Sequence, residues 1–210
     1  MSTALAVAAT TAVITTQINN AVNRANIGPI VGPTTVSALP PDRITIGDAE
    51  SSQVNLFMYM VTPNQGWRNQ DLPSRDSQGN RIASPPLAIN LHYLLSTYGA
   101  QDFQAEILLG IAMQQLHEAP VLTRDIINAA FSTPPPLTPI MQALSQAGLA
   151  DQVEEIRICP YILSTEEVSR LWTGFQDKYR PTAGYQATVV LIQADAPYKT
   201  ALPVCLLYTS

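Results

Sequence analysis

The chain has 210 residues with 16 acidic and 11 basic side chains, a formal net charge of −5, and only 13% of its residues are charged, against about a quarter in an ordinary soluble protein. This balance argues against nucleic-acid or anionic-membrane binding, which needs clustered Lys and Arg, and two cysteines cannot form a disulfide framework or a zinc site by themselves. The low charge indicates either a surface covered by neighbouring subunits or one rich in Thr, Gln and Asn.

The first segment is apolar enough to resemble a signal peptide or a membrane span, but it has no basic leader, and Thr, Gln and Asn side chains interrupt it. Apolar and small side chains recur at spacings of three and four, which predicts an amphipathic helix over about residues 4–25 packed on the core. The predicted stripe consists of Val7, Thr11, Ile14, Ile18 and Ala21, widened by Ala4, Leu5 and Ala8. We therefore expect a protein made and kept in the cytoplasm.

Three strands follow this helix. The segment Thr34–Leu39 begins with β-branched residues and precedes two prolines, which predicts the first strand. Gln53–Val61 is apolar on both faces, with Leu56, Met58 and Met60 on one of them, which predicts a central strand covered on both sides. Leu87–Leu95 is the third strand, and we expect it to form an antiparallel hairpin with the second.

The second half alternates helices and strands. We predict three helices, over Asp102–His117, Thr123 to about Phe131, and Thr138–Ala147. A strand over Val153–Cys159 follows. The last two predicted elements are a helix that is capped by Ser164 and Glu167 and runs to about Phe175, and a strand over Tyr185–Ile192. Clustered strands followed by clustered helices indicate an α+β fold, with a mixed, mainly antiparallel sheet and helices packed on it.

Motifs for catalysis are missing from this sequence. It has no G-x-S-x-G, no phosphate-binding glycine loop and no dinucleotide fingerprint. His92 lies in a strand and is interpreted as a core or interface histidine satisfied by a hydrogen bond, and Cys159 is interpreted as a buried, inert thiol. We therefore predict no catalytic residues, no cofactor and no metal, and a small enzyme is the weakest functional hypothesis.

The segment 62–86 has the strongest functional character. It is polar, rich in Pro and Gly, and without periodicity, which is typical of a working loop or a disordered connection. Arg and aromatic side chains are enriched at protein interfaces, so the segment is predicted to contact a partner. The alternative is a loop that folds over its own domain, with Trp67 closing the core. The candidate interface residues are Trp67, Arg68, Asn69, Leu72, Arg75, Asp76 and Arg81.

Five stretches of the chain, read in order, carry a resemblance to a known family: MSTALAVAATTAV, TVSALPPDRI, NLFMYMVTPNQGWRNQDLPSRD, PPLAINLHYLLSTYGAQDFQAEILLGIAMQQLHEAPVLTR and LSTEEVSRLWTGFQDKYRPTAGYQATVVLI. The chain resembles the N-terminal domain of cap, or tail-terminator, proteins of phage-tail-like contractile injection systems of the virulence-cassette and antifeeding-prophage types. The resemblance implies the fold of phage tail terminators.

The same resemblance implies a structural subunit that forms a ring, expected to be sixfold. The implied partners are other copies of the chain, the inner tube protein whose growth the ring terminates, and the sheath protein whose last layer it anchors. An assembly adaptor or chaperone for another component of the particle is the alternative function.

The last residues depart from the rest. CLLYTS can be encoded by a transposon mosaic end used to prepare sequencing libraries, so residues 205–210, with Cys205, are predicted to be adapter-derived, and we expect the natural protein to continue past Val204. The alternative is that these residues are a genuine short tail. The predicted organisation is a cap domain over residues 1–194, the start of a linker at 195–204, and this non-native tail.

Overall fold

The computed structural model describes residues 2–47, 50–67, 77, 85–132 and 138–193. In these ranges the helices are α1 (Ala6–Ala25), α2 (Gly28–Val31), α3 (Gln104–Glu118), α4 (Arg124–Ser132), α5 (Pro139–Ser145) and α6 (Thr165–Phe175). The strands are β1 (Thr35–Ser37), β2 (Gln53–Pro63), β3 (Leu87–Tyr98), β4 (Val121–Leu122), β5 (Ile156–Pro160) and β6 (Thr182–Ile192).

The strands form one sheet in the order β1-β2-β3-β6-β5-β4. β1 runs parallel to β2, and the other neighbouring pairs are antiparallel. The predicted α+β fold with a mixed, mainly antiparallel sheet is therefore confirmed, and so is the hairpin of β2 and β3.

β3 lies at the centre of the sheet and contributes to the core on both faces. Its alternation is the predicted one: Ile89, Leu91, Tyr93 and Leu95 join the large core beneath α1 and α3. On the opposite face Leu94 and Tyr98 pack against Trp172 of α6. Helices thus cover the sheet from both sides, which is why a strand with two apolar faces is stable here.

The buried face of α1 differs from the predicted one. Ala4, Leu5 and Ala8 are exposed and Val7 and Thr11 are only half-buried, whereas Thr10 is fully buried. The Thr10 hydroxyl donates to the Ala6 carbonyl at 2.8 Å, so this polar side chain enters the core with its hydrogen bond satisfied. The helix is consequently rotated relative to the stripe that apolarity alone predicted. The buried residues of α1 are Ala6, Ala9, Thr10, Val13, Ile14, Gln17, Ile18, Ala21 and Val22.

The predicted helix caps are confirmed at α5 and α6. Thr138 caps α5 by accepting from the Met141 amide, and Ser164 and Glu167 form the full capping box at the start of α6. Gly148 follows α5 with φ +64°, a left-handed conformation in which glycine avoids the Cβ penalty.

The interpretation of Cys159 as a buried thiol is wrong, since its side chain is exposed. The period of two along β5 places Ile156 and Ile158 in the core and turns Arg157 and Cys159 to the opposite face, where both are exposed.

None of the helices in the described ranges is long and apolar enough to cross a membrane. The predicted linker at 195–204 and the predicted tail at 205–210, including Cys205, lie outside the described residues.

Candidate interaction surface

Of the predicted interface residues, Trp67 falls within the described ranges. Arg68, Asn69, Leu72, Arg75, Asp76 and Arg81 lie outside them, so their placement at a contact stays a prediction.

Asn64 fixes the direction in which the chain leaves β2. Its backbone amide donates to the Ala88 carbonyl at 2.9 Å, and its Nδ2 donates to the Asn90 Oδ1 at 2.8 Å. Its Oδ1 in turn accepts from the Trp67 amide at 3.0 Å, a side-chain-closed turn typical of Asn. Trp67 is therefore held just after β2 by Asn64, which is itself hydrogen-bonded to β3.

The Trp67 ring is half-buried against the domain's own sheet. It packs on a small cluster formed by Ala88, Val189 and Leu191. This contact agrees with one part of the alternative interpretation, that Trp67 packs on its own domain, and it leaves part of the side chain accessible. Whether the segment contacts a partner or folds over the domain stays a prediction.

The prediction that β2 is a central strand covered on both faces holds for its first half and fails at Met60 and Val61. β1 pairs only with Gln53–Asn55, and no other described strand continues that side, so the second half of β2 is an open edge. Val54 and Leu56 are fully buried, but Met60 and Val61 are 38% and 45% exposed. Exposed apolar strand edges are sites for pairing with other chains unless they are blocked.

A β-bulge also changes the faces of β2. The register with β3 shifts between Met58 and Met60, so that Met58 lies opposite Tyr93 and Met60 opposite His92. One extra residue, Tyr59, turns Met60 away from the face that Leu56 and Met58 share. The prediction that Met60 shares that face is therefore wrong, and Tyr59 and Met60 both face α6.

Between this edge and α6 lies a groove of about 570 Å³, which we call the α6 groove. The residues that line it are mostly aromatic or aliphatic, with one acidic and one basic side chain among them: Tyr59, Met60, Tyr161, Leu163, Glu167, Arg170, Leu171, Gly174 and Phe175. Beside it Ile162 is 93% exposed.

The segment that carries Ile162 is fixed on the sheet. The Tyr161 amide donates to the Gly184 carbonyl at 2.9 Å, and a Cβ at Gly184 would lie 2.5 Å from the Tyr161 oxygen, so only glycine permits this approach. The Tyr161 ring contacts the His92 ring edge-on, with centroids 5.0 Å apart. A fixed, exposed isoleucine next to an apolar groove is typical of an interaction surface.

Burial shifts the pKa of two groups at the groove, His92 and Tyr59, in the direction that favours their neutral forms. Burial lowers the pKa of His92, and burial, followed by Tyr161 and Glu167, raises the pKa of Tyr59 to about 12. His92 is buried and its Nε2 lies 2.9 Å from the Thr62 Oγ1, as the interpretation of a core or interface histidine requires, but its Nδ1 is buried with no hydrogen-bond partner among the described residues. Within the described residues, no group of three or more His, Cys, Asp or Glu could hold a metal ion.

The α6 groove was not predicted from the sequence, because its walls come from three separate segments of the chain. These segments are β2, the connection after β5, and α6. The one local signal was the apolar run at Met60 and Val61, which continues past the part of β2 that a neighbour covers.

Comparisons with known proteins show to which family the fold belongs. The family model of the Pvc16 N-terminal domain matches residues 9–205. A comparison with curated proteins found no significant match.

Two solved structures share the fold. One is the PVC sheath/tube terminator of an extracellular contractile injection system in its extended state, with a TM-score of 0.51, 16% identity, and coverage of 92% of this chain and 61% of that one. The other is the anti-feeding prophage cap, the AFP tube terminating cap, with a TM-score of 0.52, 14% identity, and coverage of 92% and 60%.

At these identities the likeness shows the fold, and the chain spans about three fifths of the length of either structure. The resemblance inferred from the sequence is confirmed at the level of the family. Because the family model covers nearly its whole length, the chain belongs to the Pvc16 N-terminal domain family.

Proposed function

We propose that this chain is part of a structural cap subunit that terminates the inner tube of a contractile injection particle and anchors its last sheath layer. The observation that carries the proposal is the shared fold with a sheath/tube terminator and a tube terminating cap, together with membership of the Pvc16 N-terminal domain family. Its role is structural rather than catalytic.

The proposed assembly is a ring, with six copies as the expected number. A ring closes through two different patches on each subunit, so more of the surface is covered than in a monomer. The open edge of β2, the α6 groove and exposed Ile162 supply apolar surface suited to such contacts. A charged fraction of 13% fits a subunit with several covered sides.

The segment that follows Trp67 is proposed as a second contact. In the sequence between β2 and β3, Arg68, Asn69, Leu72, Arg75, Asp76 and Arg81 carry both signs of charge, and Arg side chains form strong paired contacts with carboxylates. The partners are a neighbouring copy, the tube protein or the sheath protein. Assembly takes place in the cytoplasm, and the subunit stays in the particle.

Mass spectrometry of purified particles tests whether the subunit stays there. A cap subunit is recovered at a few copies per particle and survives a high-salt wash, because obligate interfaces are large and apolar. An assembly adaptor or chaperone would be found in the cell extract and be missing from intact particles, which would refute the cap proposal.

A further inference from the structure

A second groove lies along the outer side of α1, the helix that covers the face of the sheet opposite α6. We call it the α1 groove. Its volume is about 610 Å³, and none of the described residues that line it is charged. Its lining includes mostly small side chains at the start of α1 together with two residues of β2: Ala4, Leu5, Ala8, Ala12, Phe57 and Met58.

The groove contains apolar side chains that the described part of the chain leaves uncovered. Ala4, Leu5 and Ala8 belong to the stripe that the sequence pattern predicts to be buried, yet all three are exposed, Leu5 to 41%. Contiguous exposed apolar surface is typical of a place where another segment or another chain packs. The start of α1 therefore has the composition of a covered surface without its cover.

The chain leaves β6 beside one end of this groove. The amide of Gln193, where the described ranges end, donates to the Ser2 carbonyl at 3.0 Å. The Ser2 hydroxyl donates in turn to the Leu191 carbonyl. Ser2 precedes Ala4 by two positions, so the residues after Gln193 begin next to the N-terminal end of the α1 groove.

Residues 194–204 are long enough to follow the groove along α1. An extended chain advances about 3.3 Å per residue, so this segment can span roughly 36 Å. The part of the helix that lines the groove, from Ala4 to Thr15, is about 17 Å long. The family model also matches residues 9–205, which places this segment within the stretch that the domain family describes, although β6 ends at Ile192.

The sequence of this segment has one apolar and one charged side when it is extended. Side chains alternate between the two sides of an extended chain, so Tyr198, Leu202 and Val204 share one side. Asp195 and Lys199, its two charged residues, share the other. Two prolines favour the extended form over a helix. An uncharged groove accommodates the first side and leaves both charges in water, where they cost nothing.

We propose that the α1 groove is the docking site of residues 194–204 of the same chain, which lie along α1 in an extended conformation with Tyr198, Leu202 and Val204 against the helix. The docked segment covers the apolar side chains at the start of α1. This contact belongs to the fold of a single subunit and is independent of the proposed cap function.

Digestion of the full chain with a lysine-specific endoprotease tests the proposal, since Lys178 and Lys199 are its only lysines. Docking should protect the bond after Lys199, because proteolysis follows the population of the open form. Cleavage there removes residues 200–210 and is followed by mass spectrometry as an initial rate. Cleavage after Lys178, which lies exposed within the described domain, reports whether a variant is folded.

One pair of variants tests the segment. Leu202→Asp should raise the initial rate of cleavage after Lys199 about tenfold, because the docked state then loses the burial of a leucine side chain. Ala201→Asp adds the same charge on the opposite side of the extended segment and should be cleaved like the wild type.

A second pair of variants tests the groove. Ala8→Glu places a charge in the groove and should accelerate cleavage after Lys199 to a similar degree. Ala8 is exposed in the first turn of α1, where a carboxylate suits the helix dipole, so we expect the variant to fold. Asn20→Glu adds the same charge at an exposed position of α1 outside the groove and is the matched control.

Three results would overturn the proposal. Equal cleavage after Lys199 in the wild type, Leu202→Asp and Ala8→Glu would show that the segment is not docked in the groove. An equal rise in all four variants would show an effect of added charge and not of position. Protection of Lys199 that increases with protein concentration would assign the groove to a segment of a second copy.

Discussion

The guanidinium of Arg180 lies 2.6 Å from the carboxylate of Glu50, a residue 130 positions earlier in the chain. The Glu50 side chain is 5% exposed and that of Arg180 is 23% exposed. Glu50 also accepts from the Gly99 amide at 2.9 Å, and the Arg180 guanidinium lies 5.8 Å from the centre of the Tyr98 ring. One carboxylate thus joins the connection before β2, the end of β3 and the start of β6.

Removing this carboxylate should destabilise the fold. Glu50→Ala leaves the Arg180 charge and the Gly99 amide without their partner, and we expect a loss of about 2–4 kcal/mol in the free energy of unfolding, since breaking a buried pair typically costs about 3–5 kcal/mol and Arg180 keeps some exposure. Urea denaturation measures this loss in the free energy of unfolding.

The matched control is Glu166→Ala, which breaks the exposed pair with Arg170, where both side chains are more than 70% exposed. Exposed helix pairs contribute about 0.3–0.5 kcal/mol. Equal losses in the two variants would show that the Glu50 contact is no stronger than a surface pair.

His92 should make the stability depend on pH. Burial lowers its pKa in the folded state, so the unfolded chain binds the proton more readily, and stability is lost as the pH falls from the ordinary histidine pKa of about 6.5 through the lower folded value. The free energy of unfolding should therefore decrease between about pH 7.5 and about pH 5.5.

His92→Gln can keep a hydrogen bond to Thr62 but carries no titrating group. In this variant the decrease over the same pH range should be smaller. A pH profile that is unchanged by the substitution would assign the effect to other groups.

Ile162 should matter for assembly and not for folding. Since its side chain is 93% exposed, Ile162→Asp is expected to change the free energy of unfolding by less than about 0.5 kcal/mol. If the surface beside the α6 groove meets a partner, the same variant should be incorporated into particles less efficiently. Immunoblots of purified particles measure the incorporated fraction.

Ser145→Asp on the exposed side of α5 provides a comparison with the same added charge. Normal recovery of Ile162→Asp in particles would remove this surface from the proposed interface.

Much of the sheet was predictable because its signals are local. The alternation along Leu87–Leu95 places Leu91 and Tyr93 on one face and Leu94 on the other, as the structure has them. The capping box at Ser164 likewise depends on two residues of one helical turn.

The predictions that were wrong concern features that are determined by tertiary contacts. The bulge at Tyr59 depends on the register with β3, which no pattern within β2 encodes. Thr10 is buried in α1 with its hydroxyl bonded to the Ala6 carbonyl, so polarity was a poor guide to burial at this position. The α6 groove joins Met60 to Tyr161 and Phe175, more than one hundred residues away.

The central claim is that the chain caps the tube, and the tube-length distribution tests it most directly. Particles from cells that lack the gene, imaged by electron microscopy, should carry tubes of widely varying length without a terminal ring, and expression of the protein from a plasmid should restore a uniform length. Tubes of normal, uniform length with an intact terminal ring in the deletion strain would contradict the account.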